Sequence, residues 1–344
     1  MKAIDDGYGE IKTYDGRDAR KYPSLARFGK HFQVRMGVGL GDGNVADEVV
    51  LESEGEMFTL GDGPDLIDTR FNGWPTSALN RVLSRYGLMQ AGMQDGESIA
   101  TGLPMSGYFD RQGVVLKKNV DARKTTLIKP VLRCMGPGES ASRMHLAIPG
   151  AVRVIPQGMA AIFDYIIQED GSARNVERVA VIDVGARTTD VAVYVMDENM
   201  NGSIEMQRSG GIDMGMLGAS DVLGQKIGRE LGQSQPIQMS MAIKAMRDKS
   251  VKIYGKRMDV GSIRLQALYE HLHAIMDQAE HLLSGGLGDA GLRDIDCVLI
   301  AGGGAHAVQE VNLGLWANTV IPEKPEFANV RGMWKLGHQL ERAG

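Results

Sequence analysis

The chain has 344 residues, a length that favours two domains because single hydrophobic cores stop growing near ~250–300 residues. Apolar residues make up 43% of the sequence, which excludes a mostly disordered protein. The net charge of −5 argues against a dominant nucleic-acid binder, so we expect no direct binding of DNA. There is no apolar run of about 20 residues and no signal-peptide pattern at the N-terminus. We therefore expect a cytoplasmic protein that does not enter the membrane.

The two cysteines, Cys134 and Cys297, are isolated in apolar stretches. No second Cys or His lies at ligand spacing from either residue, so neither is predicted to bind a metal. Both are predicted to be buried free thiols, as is usual in a reducing compartment.

The first half of the chain predicts a hairpin followed by strands and helices. Glycines and acids separate short apolar runs, which is typical of turns between strands. The predicted elements are strands at 1–6 and 9–14, short β-like runs within 35–70 (48–51 and 57–60 among them), a helix at 76–88, a strand at Ile99–Leu103, a basic helix–loop excursion at 111–130, a strand at 146–154, and a helix from Gln157 to about 168.

The second half repeats this pattern, because it also begins with a strand, a glycine turn after an Asp, and a return strand. This weak internal symmetry predicts a duplicated α/β domain with a ligand cleft between the copies. The helix at 262–284 is the clearest, since apolar residues from Leu265 to Leu283 repeat at three and four positions. The predicted elements are strands at 179–183, 189–195, 204–208 and 297–301, and helices at 215–231, 236–247, 262–284, 305–313 and 329–342.

The first turn has residues suited to phosphate. Asp5 ends an apolar strand, Gly7, Tyr8 and Gly9 form the turn, and Lys12 lies on the return strand. Glycines let backbone N–H groups approach phosphate oxygens without a Cβ in the way. Lys12 can place positive charge on the β- and γ-phosphates, and Asp5 can hold the water shell of Mg²⁺. A plain hairpin with solvated acids is the alternative.

The second turn follows the same logic. Asp183 ends a buried strand, and the turn contains Gly185, Ala186, Arg187 and Thr188 before the return strand begins. A plain hairpin also explains this turn taken alone. Two such hairpins, at the starts of the two half-chains, favour a shared phosphate ligand.

The third turn is glycine-rich and lies between a buried strand and a helix. Gly302, Gly303, Gly304 and Ala305 give a flat backbone surface on which adenosine or an α-phosphate can lie. The spacing differs from the dinucleotide fingerprint. The sequence contains no Walker P-loop, which excludes a P-loop NTPase.

Together, the three turns resemble those of the actin, sugar-kinase and chaperone ATPase superfamily. The likeness is strongest to ParM/StbA, the bacterial actin-like plasmid segregation family, and it spans nearly the whole chain. The motifs that carry it, in order, are Ile4-Asp5-Asp6-Gly7 with Ile11-Lys12, Leu103-Pro104 with Tyr108-Phe109-Asp110-Arg111, Ile155-Pro156-Gln157, Ile300-Ala301-Gly302-Gly303-Gly304-Ala305, and Asn329-Val330-Arg331-Gly332-Met333.

The resemblance implies an α/β, actin-like fold with two related ribonuclease H-like domains around a nucleotide cleft. Domain I would comprise 1–156 plus about 322–344, and domain II would comprise 157–321.

The resemblance also implies residue roles. Asp5 and Asp183 would orient hydrated Mg²⁺, Lys12 would contact the β- and γ-phosphates, and Gln157 would orient the attacking water. Because phosphoryl transfer needs mainly positioning and charge stabilisation, this small set suffices. Capping of the following helix is the alternative role for Gln157.

Two departures from the family pattern bear on the chemistry. Ala186 and Arg187 follow Gly185 where the family commonly has glycines. Arg187 can stabilise transition-state charge, or it can point outward and be inert, and we favour the inert reading. Tyr8 stands where a small Ser or Thr is usual, so a ring turned toward the phosphate would tighten the pocket and slow hydrolysis.

The family likeness implies an ATPase that binds ATP/ADP with Mg²⁺ and polymerises into filaments for plasmid DNA segregation. DNA would be reached through a small DNA-binding adaptor on a centromere-like plasmid site. Two alternatives stay open: a non-polymerising actin-like scaffold that binds ATP, and a small-molecule kinase of the same superfamily.

Two further segments are candidate surfaces. The loop-like 71–75, with Trp74, is a candidate interface, and the basic stretch 117–129 is predicted to be a solvated loop or a partner contact. His306 is predicted to lie on the surface of its helix.

Overall fold

The computed structural model describes residues 1–31, 34–35, 44–45, 49–63, 65–135, 142–197 and 202–343. The chain divides into two compact units. The predicted boundary at 156/157 lies one residue beyond the division at 155/156. The segments 104–116 and 322–336, which the prediction places in domain I, belong to the second unit. The first unit is Met1–Leu103, Lys117–Ile155 and Gly337–Gly344, and the second is Pro104–Leu116 and Pro156–Leu336.

Eight strands precede the first helix, and strands and helices are interspersed after it. The strands are β1 (Lys2–Asp6), β2 (Glu10–Tyr14), β3 (Ala19–Pro23), β4 (Ala26–Phe28), β5 (Val34–Arg35), β6 (Asn44–Val45), β7 (Val50–Ser53), β8 (Glu56–Leu60), β9 (Ile99–Leu103), β10 (Leu132–Met135), β11 (Ser142–His145), β12 (Val152–Pro156), β13 (Arg178–Val184), β14 (Thr189–Met196), β15 (Gly202–Ile204), β16 (Gly210–Ile212), β17 (Ser250–Ile253), β18 (Lys256–Asp259), β19 (Cys297–Ala301) and β20 (Thr319–Val320). The helices are α1 (Ala78–Gln90), α2 (Met105–Tyr108), α3 (Lys117–Ile128), α4 (Met159–Ile166), α5 (Met216–Glu230), α6 (Met239–Asp248), α7 (Gly261–Leu283), α8 (Ala305–Val311) and α9 (Ala328–Ala343).

The main sheet of the first unit is built around the predicted hairpin. Its strand order is β12-β9-β1-β2-β3. β1 pairs antiparallel with β2 and parallel with β9, while β2 pairs antiparallel with β3. A second sheet of the same unit has the order β11-β10-β7-β8-β4.

The sheet of the second unit repeats this arrangement. β13 pairs antiparallel with β14 and parallel with β19, and β14 pairs antiparallel with β15. The path β15-β14-β13-β19-β20 therefore corresponds to β3-β2-β1-β9-β12 of the first unit. This shared topology is the structural counterpart of the internal symmetry seen in the sequence.

The core of the second unit forms where the sequence is most apolar. The residues of β13 from Val179 to Val184 are buried, as expected for a central strand with neighbours on both sides. Helix α7 packs the predicted apolar stripe, including Leu268, Leu272 and Ile275, against this sheet. Leu265 was predicted in that stripe, but it is 42% exposed because it lies beyond the sheet contact.

Several predicted elements have different bounds in the structure. The strand predicted at 146–154 is β12, which begins at Val152. The strand predicted at 204–208 is wrong, because β15 ends at Ile204 and Met206–Arg208 form a 3₁₀ turn. Much of the β-like segment predicted within 35–70, including residue 48, lies outside the described residues, although β7 and β8 are present.

Of the two candidate surfaces of the first unit, the aromatic loop buries its Trp and the basic stretch is a helix with an exposed face. Trp74 is buried, and its Nε1 donates a 2.9 Å hydrogen bond to the carbonyl of Asp6. The basic stretch is helix α3, in which Arg123 is fully buried. Trp74 and Arg123 therefore complete the packing around the first hairpin. The predicted loop at 117–129 is wrong, but Lys117, Lys118 and Lys124 are exposed on the helix, as expected of a solvated basic segment.

The two cysteines agree with the prediction of buried free thiols. Cys134 and Cys297 are free and buried, and burial raises the pKa of each thiol. Within the described ranges, none of the helices is long and apolar enough to cross a membrane.

Candidate nucleotide site

The first hairpin brings together an acid and a cation. Asp5 on β1 lies opposite Lys12 on β2, and Lys12 Nζ is 3.6 Å from Asp5 Oδ2. Asp5 is buried and Lys12 is largely buried, so this ion pair is poorly screened by solvent. The predicted pair therefore lies at one end of the turn that contains Gly7 and Gly9.

The carbonyl groups of this turn are held by two hydroxyl residues. Ser24 donates from Oγ to the carbonyl of Gly7 at 2.8 Å and from its backbone N–H to the carbonyl of Gly9 at 2.9 Å. Thr69 Oγ1 donates to the carbonyl of Tyr8 at 2.7 Å. In a planar trans peptide the C=O and the next N–H point in opposite directions. The three N–H groups that follow these carbonyls are therefore directed away from Ser24 and Thr69, which suits binding of an anion.

The side chain of Tyr8 belongs to the core of its own unit. Its ring stacks on Trp74 with ring centroids 5.6 Å apart and an interplanar angle of 27°. This packing accounts for a large residue at a position where a small one was expected. The stacked ring leaves the peptide groups of the turn as the surface that a phosphate would contact.

Asp6, the neighbour of Asp5, has a structural role that the sequence did not reveal. Successive strand residues point to opposite faces of a sheet, so the two acids are separated. Asp6 Oδ1 lies 2.5 Å from Nη2 of the buried Arg123, and Asn80 Nδ2 donates to Asp6 Oδ2 at 2.5 Å. Burial lowers the pKa of Arg123, and the charge of Asp6 opposes that shift. The opposite orientations leave Asp5, not Asp6, as the candidate phosphate-site acid.

The turn of the second hairpin is held by hydrogen bonds from the start of α5. The turn is closed by a 3.0 Å hydrogen bond from the N–H of Gly185 to the carbonyl of Thr188. The carbonyls of Gly185 and Ala186 accept hydrogen bonds from the N–H groups of Met216 and Leu217, at 3.0 and 2.8 Å. The first N–H groups of α5 therefore stabilise the turn itself, which holds its backbone in one conformation.

Arg187, the departure in this turn, lies beside an exposed acid. Its Nε is 3.6 Å from Asp213 Oδ1, and the Asp213 side chain is 82% exposed. The Arg187 side chain itself is only 19% exposed, so it is not turned out into solvent although its partner is. That Arg187 takes no part in phosphate chemistry stays a prediction.

Asp183 is held by a residue that the sequence analysis quoted but did not assign. Asn329, at the start of α9, donates from Nδ2 to Asp183 Oδ2 at 2.6 Å. Its Oδ1 accepts a 3.0 Å hydrogen bond from the N–H of Gly158. One buried amide thus links the end of β13 to the turn that carries Gln157. An Asn opening an amphipathic helix within a family motif was the signal available in the sequence.

Gln157 lies in the turn before α4 rather than at the start of that helix. The N-cap of α4 is Gly158, with a φ of 75°, so Gln157 is not itself the N-cap residue. Its turn is positioned through the bond between Gly158 and Asn329.

The glycine turn after β19 packs directly on the second hairpin. Gly302 has a φ of 80°, and a Cβ at this position would lie 2.5 Å from Asp183 Oδ1. The N–H of Gly304 donates to the carbonyl of Val184 at 3.0 Å. A Cβ added at Gly303, by contrast, would lie in open space. Glycine is needed at 302 for this close approach, whereas Gly303 offers a bare surface next to Ala305, the first residue of α8.

His306 lies where it was expected. It is exposed on α8, and its Nε2 is 2.9 Å from Glu326 Oε2.

Each of the two hairpins carries one buried acid of a kind that binds a metal through water. Among the residues that the structure describes, no three His, Cys, Asp or Glu side chains form a metal-binding group. Mg²⁺ needs no such cage, because it keeps several waters and binds through one or two carboxylates plus substrate phosphates. Asp5 and Asp183 are both buried carboxylates at the ends of strands, and a carboxylate has about four lone-pair sites. Each carboxylate, taken by itself, is therefore of the kind that binds a hydrated Mg²⁺ beside a phosphate.

Comparison with known proteins supports the fold. Residues 181–312 match the family model of the archaeal actin homologue MreB-like C-terminal domain. No curated protein matches the sequence.

Solved structures of actin homologues align over nearly the whole chain. A 15-stranded ParM filament from Clostridium botulinum is 18% identical, with a TM-score of 0.74 and 98% of each chain covered. The archaeal actin homologue Ta0583 is 20% identical, with a TM-score of 0.70, covering 98% of this chain and 100% of that one. Its complex with ADP is 19% identical, with a TM-score of 0.69 and the same coverage. The chain therefore has the actin-like fold, and its residues 181–312 match the C-terminal domain of archaeal MreB-like actin homologues.

Proposed function

We propose that the chain binds ATP with Mg²⁺, hydrolyses it, and uses the nucleotide state to control its assembly into filaments. The observation that carries the nucleotide part is the convergence on Asp183. Asn329 bonds to its carboxylate, Gly302 packs against it, and Gly158 is tied to the same amide. Three segments far apart in the sequence are thus arranged around one buried acid.

In this proposal, phosphate contacts come mainly from backbone N–H groups. The turn 7–9 has its carbonyls held on one side, and the turn 185–188 has its carbonyls held by α5. Both turns are therefore pre-organised, which reduces the entropy lost when a phosphate binds. Lys12 adds positive charge for the β- and γ-phosphates.

Asp5 and Asp183 would hold Mg²⁺ through water. When bound, the ion neutralises charge that develops on the phosphate oxygens. Gln157 would orient the attacking water from its turn before α4. Its amide suits this role because it can both donate and accept a hydrogen bond.

Assembly is supported by a likeness in fold to a protein whose structure is a filament. Plasmid DNA segregation through a small DNA-binding adaptor is the biological role that we propose, on the strength of the sequence likeness to the ParM/StbA family. The acidic net charge agrees with indirect contact to DNA.

The test is Asp183→Asn, which preserves size but removes the charge. We expect ATP hydrolysis, followed by phosphate release, to fall by at least about a hundredfold, because removing an electrostatic group from phosphoryl transfer typically costs that much. Asp213→Asn is the matched control, since Asp213 is exposed and should leave the rate unchanged.

Pelleting with ATP and with ADP tests assembly in the same preparations. Greater pelleting with ATP supports the filament. Tight ATP binding without hydrolysis or pelleting would contradict the proposal and favour a non-polymerising scaffold.

A further inference from the structure

The hairpin of β17 and β18 ends in an unusually exposed aromatic residue. Its two-residue turn is Tyr254-Gly255, with φ values of 45° and 80°. Turns with two positive φ values favour Asn, Asp and Gly, and a bulky residue there strains the backbone. Tyr254 is also 92% exposed, so its ring has almost no contact with its own chain. The stability of the folded monomer gives no reason for an aromatic residue at this position.

The hairpin packs against the core of its unit, which holds Tyr254 in a fixed position. Val251 is buried in a cluster with Leu223, Ala245 and Val260. On the outer face, Lys252 lies opposite Arg257, and like charges in this position are unfavourable. Lys256 is also exposed beside the turn. The hairpin tip therefore presents the ring of Tyr254, here called the aromatic knob, with the cations Lys252, Lys256 and Arg257 around it.

A groove of about 370 Å³ lies between α7 and α8 of the same unit. Leu265 and Tyr269 are 42% and 49% exposed, which gives the groove an apolar surface. The charged residues that line it are both acidic, and each has a partner: Glu270 pairs with Lys226, while Glu310 pairs with Arg264 and Lys249. Arg264 holds Glu310 through two hydrogen bonds of 2.8 and 2.7 Å, whereas Glu270 is 57% exposed, so its ion pair is weak and can exchange partners. The lining residues are Leu265, Gln266, Tyr269, Glu270, Glu310 and Val311.

We propose that Tyr254 of one copy of the chain docks into this groove on a second copy. The aromatic knob matches the apolar surface, and the cations around it match the exposed Glu270. In a head-to-tail arrangement, each copy at the end of a chain of copies keeps one free hairpin tip or one free groove, so the contact continues from copy to copy. The inference rests on the assembly part of the proposed function and identifies one contact that would sustain it.

Tyr254→Asn removes the ring and places a residue that suits the positive φ, so the hairpin should fold at least as well. We expect the critical concentration for ATP-dependent assembly to rise about tenfold or more, as for loss of an aromatic anchor. ATP binding by the monomer should be unchanged. Leu287→Ser is the control, because Leu287 is 73% exposed in the same unit but lies outside the groove. Normal assembly of Tyr254→Asn would overturn the inference.

Cross-linking tests the contact without relying on assembly. Lys256→Cys and Gln266→Cys each keep Tyr254 and the apolar lining, and the native Cys134 and Cys297 are buried. A short bismaleimide should join the two variants when they are mixed, but should not join either variant to itself. Wild-type protein with the reagent is the blank.

The two experiments separate the inference from the proposed function. Cross-links in the mixture support the contact even if no ATP-dependent pelleting occurs, in which case the filament proposal fails alone. Pelleting without a cross-link in the mixture overturns the contact and leaves the filament proposal standing.

Discussion

Asn329 donates a 2.6 Å hydrogen bond to the carboxylate of Asp183. The Oδ1 atom of the same amide accepts a hydrogen bond from the N–H of Gly158. Both ends of the amide therefore have a partner, which fixes its orientation. A buried amide with two specific partners holds Asp183 and the Gln157 turn in one arrangement. The first prediction follows from this pair.

Asn329→Ala should lower both stability and activity. The Asp183 carboxylate and the N–H of Gly158 both lose a buried hydrogen-bond partner. We expect this loss to reduce the free energy of unfolding by about 1–3 kcal/mol, measured in urea. We also expect ATP hydrolysis to fall at least about tenfold, because Asp183 and Gln157 are no longer held together.

Asn318→Ala is the matched control for this prediction. Asn318 donates to the carbonyl of Ile295 at 2.6 Å, so the variant loses a hydrogen bond away from Asp183. We expect a similar loss of stability with unchanged turnover of ATP. An equal fall in hydrolysis for the two variants would show that stability alone explains the effect.

Gly302→Ala and Gly303→Ala should behave differently although the residues are neighbours. At 302 the new Cβ meets Asp183 Oδ1 and the backbone has a φ of 80°, so we expect a loss of about 1–3 kcal/mol or more. At 303 the Cβ enters open space, so stability should change by no more than about 0.5 kcal/mol. Thermal unfolding measures both.

ATP affinity adds a second measurement to this pair. If adenosine lies on the turn, Gly303→Ala should weaken ATP binding without affecting stability. Unchanged affinity for Gly303→Ala would remove this turn from the nucleotide site.

Ser24→Ala combined with Thr69→Val should weaken ATP binding by about tenfold, since each hydroxyl bond is worth about 0.5–1.5 kcal/mol. Both hydroxyls hold carbonyls of the turn at 7–9, and without them its N–H groups are less well directed. Titration with a fluorescent ATP analogue gives the affinity. Thr125→Val on the exposed side of α3 is the control, and an affinity equal to that of wild type in the double variant would contradict the prediction.

Arg187→Ala should leave ATP hydrolysis within about twofold of the wild-type rate. The side chain is 19% exposed and lies beside Asp213, which is 82% exposed, so solvent largely screens the charge of its partner. Steady-state phosphate release under saturating ATP is the measurement. A fall of more than about tenfold would instead assign Arg187 to stabilisation of the transition state.

Local patterns were enough to predict the hairpins and most helices. The strands on either side of Gly7 and Gly185 were predicted within about two residues, because a glycine turn between apolar runs is a short-range signal. The α7 stripe was likewise visible from its spacing. The hairpin that carries Tyr254 was missed, since a Tyr-Gly turn is not the usual signature for two positive φ values.

The chain's sequence alone determined the two acids that end buried strands and the three glycine turns, because these features depend on residue order and on short-range backbone preferences. The actin-like fold was implied by the resemblance of its motifs, taken in order, to a known family. Only the tertiary structure decided that Asp6 faces the buried Arg123 while Asp5 lies beside Lys12, because burial on each sheet face depends on distant packing. It also placed Asn329 on Asp183 across 146 residues, a contact that no local pattern encodes.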